Sequence, residues 1–269
     1  MDYLSEFCEI PMTRTTIDQA IEAAEHPIVL ETSAQLENAS ATWKDSEILG
    51  IDTEFVRERT YRAALGLVQV SDGKTAWLLD PLALPSLQAL ADLLENPGIM
   101  KILHSGSEDL EVLLHSVGTL PSPLADSQVA CAILGQPLQM GYHAAVNWLF
   151  DIDVDKEQTR SNWCRRPLNS KQLHYAAMDV TLLPSMILKL RSQLEAKNRW
   201  EWLLEDVARM QQTARTDVDP QEAYLRVSGA GRLDGRGLKV LRRLAAWREE
   251  TAIQKNLARG FVINDAGLM

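Results

Sequence analysis

Ile48-Leu49-Gly50-Ile51-Asp52-Thr53-Glu54-Phe55 is the stretch on which the fold turns. Its alternation places Leu49, Ile51, Thr53 and Phe55 on one face of a strand, while Asp52 and Glu54 leave together by the other. The flanking residues are apolar enough for a central strand, and no Lys or Arg shares the acidic face within it. Two more strands follow at Leu65–Val70 and Thr75–Leu79, with Ser71-Asp72-Gly73-Lys74 as a hairpin turn between them. A helix at about residues 86–94 closes on Asn96-Pro97-Gly98, and residues 101–104 make a further short strand. The spacing of Ser105-Gly106-Ser107-Glu108 predicts a capping box that opens a helix carrying Leu110, Leu113 and Leu114 on its apolar side. A short strand near Leu124–Ala125 and helices at about residues 128–134 and 143–150 come next. Asn169-Ser170-Lys171-Gln172 predicts another cap and a long helix through Tyr175 and Asp179, which Pro184 kinks or ends. The order β-β-β-α-β-α-β-α predicts an α/β domain with a mixed central sheet and helices on both faces.

Outside this block the chain reads differently. Residues 1–47 look like a peripheral N-terminal extension, with a helix-like stretch near Ile17–Glu25, a break at Pro27 and mixed polar sequence after it. The α/β domain is assigned residues 48–196, a helical connector 197–219, and a small helical module 220–269. Asp217-Val218-Asp219-Pro220 marks the boundary, and Leu238, Leu241, Leu244, Ala245 and Trp247-Arg248 form a basic amphipathic helix beyond it. Ending at Met269, that module is expected to be too short for a self-sufficient domain.

Composition narrows the class. Of 269 residues 46% are hydrophobic and 24% charged, which fits an ordered globular protein and excludes wholesale disorder. No apolar run approaches the roughly 18–20 residues that span a bilayer, and the acidic start Met1-Asp2-Tyr3-Leu4-Ser5-Glu6 lacks the features of a secretory signal. Cys8, Cys131 and Cys164 have no CxxC spacing, which argues against a zinc site or disulfide framework and for a reducing, cytoplasmic setting. The net charge of −10 conceals an asymmetry: residues 226–269 carry nine Lys and Arg against four Asp and Glu, the rest eighteen against thirty-three. An acidic body with a basic tail suits metal-binding acids beside a separate phosphate-contacting element, and equally two unrelated solvated faces.

The acids are the candidate site. Each has an ordinary explanation alone: Asp52 and Glu54 as a solvated strand edge, Asp109 as a complement to its helix dipole, Tyr175 as a half-buried aromatic. Yet two unpaired carboxylates a few ångströms apart repel by ~1 kcal/mol in water and ~4 kcal/mol at an effective dielectric near 20, and a multivalent cation is the simplest remedy. Asp179 lies in mid-helix among Ala176, Ala177, Met178 and Val180, a poor place for an unpaired Asp. Tyr175 is four residues earlier, on the same face. Phosphodiester cleavage by two metals needs oxygen-rich ligands of this kind, and a set without His or Cys favours Mg²⁺ or Mn²⁺ over structural Zn²⁺.

The segments Ile51-Asp52-Thr53-Glu54-Phe55-Val56-Arg57, His104-Ser105-Gly106-Ser107-Glu108-Asp109-Leu110 and Leu173-His174-Tyr175-Ala176-Ala177-Met178-Asp179-Val180 closely resemble the three exonuclease motifs of the ribonuclease D family, in the tyrosine-bearing branch of the DEDD superfamily. The resemblance runs through residues 49–194 and includes Leu65-Gly66-Leu67-Val68-Gln69-Val70 and Arg165-Arg166-Pro167-Leu168. It implies a ribonuclease-H-like fold and hydrolysis of RNA from the 3′ end to nucleoside 5′-monophosphates, with tRNA precursors as the usual substrate class. It also implies that Asp52, Glu54 and Asp179 ligate one of two divalent cations, and that Asp52 bridges to the second. Asp109 stands near that second ion directly or through water, and Tyr175 hydrogen-bonds the attacking water. Residues 241–261, with Trp247-Arg248, Asn256-Leu257-Ala258 and Phe261-Val262, resemble the opening of the helicase-and-RNase-D C-terminal (HRDC) domain, a nucleic-acid-binding module here cut short. Two departures stand out: Asn162 in place of the family's Asp, and Tyr61-Arg62-Ala63-Ala64 without its frequent proline.

Expected substrate contacts are Thr53, Phe55, Arg57, His104 and Arg165, although a lone His such as His104 is more often a hydrogen-bonded structural residue. Residues 158–178 hold Arg160, Arg165, Arg166 and Lys171 and no acid; with Trp163 interleaved they read as a phosphate-tracking, base-stacking surface or as a solvated loop. Two rival readings accompany the exoribonuclease: a DEDD exonuclease acting on DNA 3′ ends, and a catalytically silent RNA-binding scaffold.

Overall fold

The strand centred on Gly50 sits in the middle of a six-stranded sheet. A computed structural model describes residues 14–154, 161–216 and 218–269. The sheet order is β1 (Ile28–Leu30), β4 (Ala76–Leu79), β3 (Ala64–Ser71), β2 (Ile48–Val56), β5 (Met100–Leu103) and β6 (Leu124–Asp126). β3 and β4 pair antiparallel across the turn, where Asp72 accepts the N–H groups of Lys74 and Thr75 at 2.8 Å. β2–β5, β5–β6 and β1–β4 are parallel, so the sheet is mixed, as the element order implied. Along the chain run α1 (Arg14–Glu25), α2 (Ser33–Trp43), α3 (Gln88–Glu95), α4 (Ser107–Ser116), α5 (Ser127–Ile133), α6 (Tyr142–Phe150), α7 (Ser170–Thr181), α8 (Leu183–Glu195) and α9 (Trp200–Arg215).

Three sequence expectations are corrected. The stretch before residue 48 is not peripheral: Ile28, Val29 and Leu30 pair with Trp77, Leu78 and Leu79. α2 behind that strand opens on a Thr32–Gln35 capping box, and its Trp43 packs edge-on to Trp77. A three-residue strand after Pro27 carries too short a pattern to be distinguished from a loop. The capping box at Ser105 is absent. Gly106 is the N-cap of α4, with no side-chain cap, and its N–H donates to Asp126 Oδ2 at 2.8 Å. The other oxygen of Asp126 accepts from Gln128 and Val129 and caps α5, so one buried carboxylate serves two helix starts. The expected cap at Asn169 does form, as a full capping box with Gln172, and Pro184 stands in the first turn of α8, where its missing N–H costs nothing.

The third correction concerns the C-terminal module. The chain divides into one unit of Met1–Phe55 with Leu65–Ala214 and a second of Val56–Ala64 with Arg215–Met269. The second unit contains α10 (Gly235–Lys255), α11 (Arg259–Val262) and α12 (Asp265–Leu268), with a 3-10 helix at Pro220–Arg226 before them. It has a core of its own in Ala223, Val227, Leu241, Ala245 and Leu268. Buried ion pairs support that core. Glu249 accepts from Arg259 Nε and Nη2 at 2.6 Å each and from the Tyr61 hydroxyl at 2.5 Å, and Arg248 reaches Asp265 at 2.6 Å. Tyr61 belongs to the segment between β2 and β3, which the second unit thus incorporates. Among the described residues no helix is long and apolar enough to cross a membrane.

Gly50 sets how closely the central strand approaches the α7–α8 junction. A Cβ there would stand 2.6 Å from the Val180 carbonyl oxygen and 2.9 Å from Leu183 Cβ. Backbone cannot yield as a flexible side chain can, so Gly50→Ala is expected to destabilise the folded protein by about 1–3 kcal/mol, the ordinary range for overpacking. Urea denaturation measures this; an unchanged midpoint would contradict the close packing.

Candidate active site

β2 delivers Asp52 and Glu54, the first turn of α4 delivers Asp109, and α7 delivers Tyr175 and Asp179. The close approach at Gly50 brings α7 over the strand, so residues 125 or more positions apart in sequence become neighbours. Carboxylate oxygens of Asp52, Glu54 and Asp179 lie within 4.8 Å of one another. Asp109 stands outside that group of three. Its Oδ1 accepts a short hydrogen bond from the buried Thr53 hydroxyl, on the opposite face of the strand from Asp52. Tyr175 precedes Asp179 by one helical turn on the same face, close enough for its hydroxyl to lower the Asp179 pKa.

The electrostatics follow from this crowding. Burial, then repulsion from Asp109, Asp179 and Glu54, holds the Asp52 carboxyl well above the usual carboxylate range. Burial and the same neighbours push Glu54 up to about 8, with a hydrogen bond from the Trp163 side chain opposing. Burial raises Asp179 to about 7, opposed by Tyr175, and Asp109 to about 6, opposed by Thr53. Asp52 and Glu54 keep an edge to solvent, yet the protein surrounding them makes desolvation the leading cause for all four. Tyr175 is driven above its ordinary phenol value by burial and by Asp179, so it stays protonated and donates. Among the described residues this is the cluster of acids whose geometry fits a metal ion, and an all-oxygen, strongly anionic donor set is the chemistry of a hard divalent cation.

The expected substrate contacts have different fates. Thr53 is buried and committed to Asp109. Phe55 is half-buried beside the carboxylates in sequence, and Arg57 is exposed in the segment assigned to the second unit. His104, expected as a contact, has both ring nitrogens engaged within the protein, at 2.8 Å from Ser127 Oγ and 2.9 Å from the Met140 carbonyl, and burial lowers its pKa. Arg165 is exposed and lines a polar cavity of about 360 Å³ with Asn162 and Asn169. Arg160 lies outside the described residues.

Trp163 is the main correction. The sequence left it open between a base-stacking face and a solvated loop; it is neither, being 2% exposed with its ring centroid 6.2 Å from that of Tyr175. His143, the second residue of α6, went unnoticed in the sequence and stands with Nε2 3.9 Å from Asp179 Oδ1. Tyr142 beside it donates to the Met178 carbonyl at 2.7 Å and steadies the turn that carries Asp179. Only a contact across distant elements reveals either residue, and the local pattern around Gly141 reads as an ordinary helix start.

With this geometry in hand, the comparisons with known proteins give the class: the chain belongs to the 3′–5′ exonuclease family, whose profile matches residues 27–195. Within that class its resemblance is to ribonuclease D. The ribonuclease D of Shewanella sp. (strain ANA-3) is 45% identical over 236 residues, 88% of this chain and 61% of the relative. That of Escherichia coli (strain K12) is 39% identical over 220 residues, 82% of this chain and 59% of the relative. The crystal structure of Escherichia coli RNase D superposes with a TM-score of 0.84 at 36% identity, covering 90% of this chain and 65% of that one. The chain thus spans about three fifths of the length of these relatives.

The raised carboxyl groups make a stability prediction whose sign is fixed. Their folded pKa values exceed the unfolded ones near 4, so the metal-free folded state binds more protons, and stability falls as pH rises between about pH 4 and pH 8. Thermal melts without divalent cation are expected to show Tm dropping over that window, with Mn²⁺ restoring it most at the alkaline end. Asp52→Asn is expected to raise the metal-free Tm at about pH 8 while reducing the Mn²⁺ response. A metal-free Tm that climbs with pH would contradict the assignment.

Proposed function

We propose that this protein is a 3′→5′ exoribonuclease that hydrolyses the terminal phosphodiester of RNA and releases nucleoside 5′-monophosphates. The observation that carries the reading is the convergence of Asp52, Glu54 and Asp179 to within 4.8 Å, with Tyr175 one helical turn before the last of them. The residues present fit two divalent cations, Mg²⁺ or Mn²⁺: Asp52, Glu54 and Asp179 would hold one, and Asp52 with Asp109 the other. Bound there, such cations supply Lewis acidity and positive charge where the phosphate develops negative charge.

The chain's own groups do the rest. Tyr175 holds its proton and donates to Asp179, which leaves the phenol oxygen's lone pairs to orient a water in line with the scissile phosphorus. The water oxygen forms the new P–O bond and gives up a proton to solvent as the bond to the 3′ oxygen of the preceding nucleotide breaks, and that oxygen takes up a proton from solvent. We read Arg165 as a phosphate contact and Phe55 as an apolar contact to the terminal nucleotide, whereas His104 serves the fold. The Escherichia coli enzyme is described as an exoribonuclease involved in structured RNA processing. We carry that substrate class to this chain, with 3′-extended tRNA precursors as its specific form. The second unit is read as a partial HRDC-like helical domain that helps grip RNA. Exposed Trp247, at 50%, beside Arg242 and Arg243 on α10 supports this reading. The cytoplasm is the setting in which such substrates occur and in which thiols such as Cys131 and Cys164 stay out of disulfides.

Digestion of a 3′-tailed tRNA-like RNA, with matched single-stranded DNA in parallel, tests the proposal. Mg²⁺- or Mn²⁺-dependent release of 5′-mononucleotides from RNA is expected, Asp179→Ala is expected to reduce it to background, and Tyr175→Phe to slow it by about 10²-fold. Faster digestion of the DNA would overturn the RNA assignment. No mononucleotide release from well-folded protein would overturn the enzymatic reading altogether.

A further inference from the structure

The segment before α7 carries a side chain buried against two members of the acidic cluster. Trp163 is 2% exposed, its ring lies 6.2 Å from the Tyr175 ring at an interplanar angle of 32°, and its side chain stands near enough to Glu54 to draw that carboxyl's pKa down against its burial. Its backbone is held as firmly. Gly66 on β3 allows the segment to lie against the sheet, since a Cβ there would stand 2.7 Å from the Trp163 carbonyl oxygen and 2.8 Å from its Cβ. The Arg166 guanidinium then pins the segment from the other side. Its Nη1 donates to the Trp163 carbonyl and its Nη2 to the Gly66 carbonyl, each at 2.7 Å, while Nε and Nη2 reach the two Asp80 oxygens at 2.5 and 2.7 Å. Asp80 is buried, and the bidentate pair leaves neither charge exposed without a partner.

We infer that Trp163 is a positioning residue: its indole N–H fixes one carboxylate oxygen of Glu54, its ring fixes Tyr175, and the Asp80–Arg166 pair clamps it in place. A glutamate has three side-chain torsions, more than a short acid, and beside three like charges its carboxylate swings toward water unless something restrains it. A neutral N–H donor restrains it without adding the positive charge that would compete with a cation for the same oxygen. Outer partners of this kind typically change metal affinity or activity by ~10–100-fold. The inference rests on the metal-dependent reading above, and its test separates the two.

The full chain and its Trp163→Phe variant are compared by calorimetric Mn²⁺ titration and by steady-state digestion of a 3′-tailed RNA, with urea denaturation to establish the folded fraction. The phenyl ring preserves most of the packing and removes the donor. Expected is Mn²⁺ binding weaker by roughly tenfold and kcat lower by a comparable factor, with KM for RNA within about twofold. Lowered stability with unchanged Mn²⁺ affinity in the folded fraction would reduce Trp163 to a packing residue and overturn the inference. A measurement on the unaltered protein stands beside the variant. In ¹⁵N-indole spectra, Mn²⁺ is expected to broaden one of the seven tryptophan N–H signals ahead of the rest; uniform or absent broadening would also overturn the inference. If the unaltered protein binds Mn²⁺ with selective broadening but releases no mononucleotide, the exoribonuclease reading falls and the positioning role stands.

Discussion

Four carboxylates held where burial and mutual repulsion both oppose their ionisation are the constraint around which the molecule is organised. Asp52, Glu54, Asp109 and Asp179 are all raised, and in each case desolvation is the leading cause. A fold selected only for stability would separate these groups or pair them with arginine, as the protein does elsewhere: Asp80 is lowered by Arg166, and Glu249 by Arg259 and Tyr61. The contrast within one chain is informative, because the same residue types are neutralised by arginine in one place and face neutral groups such as Thr53, Tyr175 and Trp163 in another. Neutral donors orient a carboxylate without cancelling its charge, which keeps the oxygens available to a cation.

Rigidity has to be supplied by the surroundings, since the cluster cannot supply it. β2 is flanked on both sides by sheet partners, and the Gly50 approach locks it under α7 and α8. α7 starts on a full capping box and is braced by the Tyr142 bond to Met178. α4, which carries Asp109, begins at a glycine N–H bound to Asp126, and the His104 imidazole is tied to Ser127 and Met140 nearby. Each of these contacts restricts an element that bears an acid, which is how the protein holds a repulsive arrangement in one geometry.

How much of this was legible in the sequence depended on whether the controlling contact was local. The shared face of Asp52 and Glu54 follows from the two-residue period of a strand, and the Tyr175–Asp179 bond from the four-residue spacing of a helix, so both could be read from residue order. The cap at Asn169 and the helix break at Pro184 were local for the same reason. β1 was not legible, because three apolar residues become a strand only when Trp77, Leu78 and Leu79 lie alongside. The burial of Trp163 was not legible, since an aromatic among arginines shows nothing of what covers it; His104, offered as a substrate contact but more naturally a hydrogen-bonded structural residue, is the latter. The capping box expected at Ser105 gave way to a carboxylate twenty residues from Gly106. The second unit's extent was not legible either, because it takes in residues 56–64, which the sequence places inside the α/β block.

The family assignment fixes the class, whereas the use of these acids as ligands is a statement about where cations go. Anomalous diffraction from crystals of this chain equilibrated with Mn²⁺ at about pH 8, where fewer protons compete with the cation for these carboxylates than at neutral or acid pH, addresses that directly. The expected result is manganese density against Asp52, Glu54 and Asp179, with a second peak on the Asp52–Asp109 side. Manganese bound elsewhere on the molecule, with none at these carboxylates, would contradict the central claim.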